Sequence, residues 1–158
     1  MMMKTILLSC ISLLLAGNVG ASMVDNSKMV ASYKTHKDDA DFILVRVQDA
    51  VQLSDAILIS YKNIGITPTF TGYNRTMQTL REDAATLPSP FGSCSTLPNS
   101  AAIYFDARVD GLKKDNRLAI KSSKARYLED VKYCTEEINV PPQDKVEELG
   151  IIDIDVPH

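Results

Sequence analysis

The sequence predicts an all-α fold: a small bundle of about four main helices, with a disulfide-tied C-terminal hairpin and a short extended C-terminal tail. Three observations carry this. Apolar residues recur at spacings of three and four along four separate stretches, the period of a helix with one buried face. Prolines and glycines fall between those stretches, where helices stop. Cys94 and Cys134 stand symmetrically about a polar turn, as partners across an antiparallel hairpin would.

Residues 1–21 stand apart. Lys4 is the single charge ahead of a run from Ile6 to Ala16 that is apolar apart from Ser9, Cys10 and Ser12. Val19-Gly20-Ala21 has the small-x-small form of a signal-peptidase site. A positive start, a short apolar core and such a site read as a secretory signal, too short to be a membrane anchor. Asn18 stands where lipoprotein processing needs a cysteine. The mature chain is expected to begin near Ser22 and to form a single helical domain over 22–158, with no transmembrane segment. Its expected location is periplasmic or extracellular. Cleavage removes Lys4, so 17 basic residues become 16 against 20 acidic ones, and the formal charge moves from −3 to −4. That balance argues against nucleic-acid binding, which needs a clustered basic surface.

A polar lead from Ser22 to Lys37 precedes the first helix, which is expected from Asp38 as cap to Gly65 and Pro68 as stop. Ala40, Ile43, Leu44, Val47, Ala50, Val51, Ile57, Leu58 and Tyr61 form its main face. Phe42, Val45, Leu53 and Ile59 fall off that face, so this helix is apolar around most of its circumference. Such a helix is central or has a partner on its second side.

Thr67 to Gly72 reads as a loop. The second helix then presents Tyr73, Met77, Leu80, Ala84 and Leu87 on one face and ends at Leu87-Pro88-Ser89-Pro90-Phe91-Gly92. The third helix is expected to start with Ser95 or Thr96 as cap and Pro98 in its first turn, where a missing N–H costs nothing. Its buried face is Ala101, Ala102, Phe105, Val109 and Leu112. The fourth follows the turn Gly111-Leu112-Lys113-Lys114-Asp115-Asn116, buries Ile120, Tyr127, Val131, Cys134 and Ile138, and stops at Pro141-Pro142.

Cleavage discards Cys10 and leaves one pair, Cys94 and Cys134, which an oxidising compartment joins. Their midpoint is Lys114, inside the turn chosen on other grounds. The tail ends in Ile151-Ile152-Asp153-Ile154-Asp155-Val156, whose apolar–acidic alternation suits an extended segment.

Little in the chain suggests catalysis. His36 and His158 sit in no metal-ligand or triad spacing, and Asp153, Asp155 and His158 are better read as an acidic tail than as a cation site. Glu136-Glu137 and Glu147-Glu148 are adjacent pairs that cannot face each other on a helix, and read as solvated charge. Asn74-Arg75-Thr76 is a glycosylation sequon if the source is eukaryotic. Three classes of function stay open. The preferred one is an exported protein-binding module, an inhibitor or immunity-type protein that neutralises a toxic enzyme. The alternative is a helical carrier of a small apolar ligand or lipid; a hydrolase comes last. No cofactor or metal is expected, the partner is another protein, and a homodimer is compatible with the pattern. Contact is expected through Val45, Gln52, Asp55 and Ile59 on the second side of the first helix, and through Ile152, Asp153, Ile154 and Asp155 in the tail, where apolar residues are rimmed by charge.

Overall fold

The computed structural model describes residues 26–143; the expected signal sequence and the tail, with Ile152, Asp153, Ile154 and Asp155, lie outside the described residues. The described residues form four α-helices: α1 (Ser27–Ile64), α2 (Pro68–Ala84), α3 (Gly92–Gly111) and α4 (Arg117–Asn139), with a 3-10 turn at Ser89–Phe91. The all-α bundle predicted from periodicity is what the chain adopts, and among the described residues no helix is long and apolar enough to cross a membrane.

α1 is the spine. At 38 residues it spans about 57 Å, taking 1.5 Å per residue. Its neighbours' directions follow from who meets whom. Tyr33 meets Phe91 on one side and Ile138 on the other, while Ser54 meets Arg108. α3 therefore runs parallel to α1, and α4 antiparallel. The core follows the expected face, with Ala40, Ile43, Leu44, Val47, Ala50, Ile57 and Leu58 of α1 packed on Tyr73, Met77, Leu80 and Ala84 of α2.

Three boundaries differ from the sequence reading, each for a physical reason. α1 begins at Ser27, not Asp38. The polar lead is helical because Tyr33 reaches across the bundle, stacks on Phe91 at 5.5 Å and donates its hydroxyl to the Ile138 carbonyl. Pro68 opens α2 instead of standing in a loop: Thr67 is the cap, its Oγ1 accepting the Phe70 N–H at 3.1 Å, and Pro68 takes the first position. The stop at Gly65 is correct; its φ of 77° belongs to the left-handed region.

The third difference is α3, which starts at Gly92 and carries Pro98 inside it. The cap comes from another helix. The Glu137 carboxylate accepts the Ser93 N–H at 2.9 and 3.0 Å and the Cys94 N–H at 3.2 Å, satisfying two of the donors that a helix start leaves open. Glu137 is thus a structural cap, not the solvated charge expected of it. Leu112, expected in the core, is 39 % exposed.

Cys94 and Cys134 are joined, with Cα atoms 4.6 Å apart, and tie the open end of the α3–α4 hairpin. The hairpin turn lies where their midpoint predicts, but nearer the turn the pairing is offset by three residues from the cysteine register. Tyr104 stacks on Tyr127, and a Cβ on Gly111 would lie 2.8 Å from Ile120 Cδ1; both pairs are centred between Asp115 and Asn116. Asn116 closes the turn by donating to the Ala107 carbonyl at 2.9 Å.

Candidate functional site

α1, α3 and α4 leave an open cleft of about 380 Å3 between them. Helical spacing puts its residues on shared faces: Gln48, Gln52 and Asp55 on α1, Tyr104 and Arg108 on α3, Lys124 and Tyr127 on α4, with Val51 at the floor.

Arg108 is the centre of this site. Its Nη1 donates to Ser54 Oγ at 2.7 Å, its Nη2 donates to the Asp55 carboxylate, and its guanidinium carbon lies 5.3 Å from the Tyr104 ring centroid. Ser54 is free to accept because its own hydroxyl proton goes to the Val51 carbonyl at 2.6 Å. The Arg108 side chain is 19 % exposed and that of Asp55 74 %. An ion pair so wet on one side adds little stability by itself. What the three contacts do is fix the guanidinium plane before any ligand arrives, so less side-chain freedom remains to be lost on binding.

Tyr104 stacks on Tyr127 with centroids 6.1 Å apart and planes 13° apart. Burial pushes the Tyr127 phenol above its ordinary range, with Tyr104 adding to the effect, so Tyr127 keeps its proton as a donor through neutral pH. Lys124 stands at the rim and forms no ion pair among the described residues. The cleft can thus offer two aromatic rings, a held guanidinium, one unpaired ammonium and two side-chain amides. It has no nucleophile beside a base, and no cluster of three metal-ligating side chains occurs among the described residues.

Of the residues chosen from sequence, the structure brings Gln52 and Asp55 into this cleft. Val45 and Ile59 instead stand on the outer ridge of α1, 47 % and 64 % exposed. Sequence reasoning missed Tyr104, Arg108, Lys124 and Tyr127 as a group. Part of the signal was present: Tyr104 and Arg108 are four apart, and the cysteine register places Lys124 level with Tyr104, one turn from Tyr127.

A second groove, of about 310 Å3, lies between α1 and α2, lined by Arg46, Ala50, Leu53, Ile57, Gly72 and Tyr73 among others. Tyr73 is 6 % exposed, and its hydroxyl has no hydrogen-bond partner among the described residues. The sequon residue Asn74 is exposed on α2. No family model matches the chain, and no curated protein or solved structure is significantly similar to it.

Proposed function

We propose that the chain is an exported protein-binding module, of the inhibitor or immunity type, that engages its partner through the α1–α3–α4 cleft. The observation that carries this reading is the held Arg108–Tyr104–Tyr127 group. Arginine and tyrosine are the residues that dominate protein interfaces when they are packed and pre-positioned. The partner supplies a carboxylate to Lys124 and a flat or apolar group to the tyrosine faces. An oxidising compartment, periplasmic or extracellular, fits both the leader and the Cys94–Cys134 bond.

The test is capture of the partner from the native compartment, identification by mass spectrometry, and titration with purified protein. R108A and K124E should each weaken binding, R108A by about 2 kcal/mol or more as an interface anchor, with helix content unchanged. If the partner is an enzyme, wild-type protein should inhibit it and R108A should not. Undiminished binding by both variants would remove the cleft from the interface.

A further inference from the structure

The outward side of α1 has its own period. Val47 and Ser54, seven residues apart, form its most buried line, 0 % and 1 % exposed. Directly opposite run Phe42, Val45, Asp49, Gln52, Ala56 and Ile59, at steps of three, four, three, four and three. All six are exposed, Phe42, Val45 and Ile59 by 55 %, 47 % and 64 %. Scattered surface hydrophobics need no explanation. A heptad seam facing away from the core does, because that spacing keeps one stripe of a helix against another helix.

We propose that this seam is a homodimer interface, in which α1 pairs antiparallel with α1 of a second copy about a two-fold axis level with Ala50 and Val51. In this register Phe42 meets Ile59 of the second copy, Val45 meets Ala56, and Asp49 meets Gln52, each contact occurring twice by symmetry. The flanks agree. Asp41 and Lys62 of the second copy lie on the same flank, two residues out of level, and neither forms an ion pair among the described residues. Asp49 selects the direction. In a parallel pair it would face its own copy, two carboxylates in one layer. In the antiparallel pair it faces an amide that can donate to it, and a polar layer of this kind fixes register at some loss of stability. Gln48 and Asp55, from the cleft rim, lie on one flank of the seam, so the two clefts of the dimer adjoin across the axis.

The experiment is sedimentation equilibrium on the full mature chain with its disulfide intact, over micromolar to millimolar protein. A concentration-dependent dimer is expected. V45E and I59E change only exposed positions, so each should give a monomer with an unchanged melting temperature, while K124E, on α4 away from the seam, should remain dimeric. Mixing D49C with Q52C under mild oxidation should yield the mixed cross-linked dimer ahead of either self-linked one. A monomer at every concentration, a dimer indifferent to V45E and I59E, or preferential self-linking of D49C would each overturn the proposal. So would a chain that dimerises only after removal of residues 151–158, because the tail would then be what covers the seam. The dimer does not rest on the partner reading: loss of partner binding in R108A with self-association intact separates the two.

Discussion

The stapled end of the α3–α4 hairpin and the cleft beyond it are built from similar residue types to opposite effect. At the stapled end Phe91, Cys94, Leu97 and Cys134 are all fully buried, Tyr33 donates across the bundle, and Glu137 caps α3. The Tyr33 hydroxyl and the first N–H groups of α3 are matched there within the protein. In the cleft, Arg108 is held by Ser54, Asp55 and Tyr104, Tyr127 is buried beneath the stack, and Lys124 stands exposed and without an ion pair among the described residues. The contrast teaches where each task is performed. Cross-links and full burial stabilise one end, which lets a neighbouring region keep polar groups available for a ligand without endangering the fold.

The sharpest way to break that contrast is to cut into each region equally. Phe91→Ala should lower stability by about 3–5 kcal/mol, the usual range for emptying a filled aromatic site. Lys124→Ala, at the exposed rim of the cleft, should change it by less than about 0.5 kcal/mol. Chemical denaturation of both variants decides the matter; comparable losses would mean that the stapled end is not where stability is concentrated.

Next in size is the staple itself. Replacing Cys94 and Cys134 together by serine should remove about 3–4 kcal/mol, the loop-closure value for a sequence separation of 40. Far-UV helix content at low temperature should survive. Ready labelling of both cysteines in the folded wild-type protein would show that the bond does not contribute.

The smallest effect sharpens the comparison from the other side. Tyr73 has a buried hydroxyl with no partner among the described residues, so Tyr73→Phe should leave stability unchanged or raise it by up to about 1 kcal/mol. Burial, and then the nearby Asp106 carboxylate, push the Tyr73 phenol above its ordinary range. In the unfolded chain tyrosine ionises near about pH 10, whereas the folded chain holds this proton to higher pH, so stability falls as pH rises past that point. Tyr73→Phe should make the alkaline decline in melting temperature shallower. A steeper decline, or a clear loss at neutral pH, would mean that the hydroxyl is satisfied in solution.

How much of this was legible beforehand depended on range. The main buried faces of the four helices follow from local spacing, Leu112 excepted, and so does the pairing of Cys94 with Cys134, because rise per residue is equal in the two arms of a hairpin. Gln52 and Asp55 were found as exposed polar positions on an apolar helix. Prolines misled: Pro68 and Pro98 were placed by the general rule that each marks a stop or a start. Pro68 is in a first turn, but of α2, whose apolar period starts only at Tyr73. Pro98 lies within α3 because the disulfide, Phe91 and the Glu137 cap hold the turns before it.

By itself the sequence determined the class of fold, the number of helices, which side of each is buried and which two cysteines pair, since these depend on period, composition and chain geometry over a few turns. Tertiary structure decided the rest. The first turns of α1 are helical because Tyr33 finds Phe91 and Ile138, residues 58 and 105 positions away. The start of α3 is set by a carboxylate 44 residues further on. The cleft exists because three helices cross at a level where each presents polar or aromatic side chains. Contacts between residues so far apart leave no local period to read, and only packing of the whole bundle brings them together.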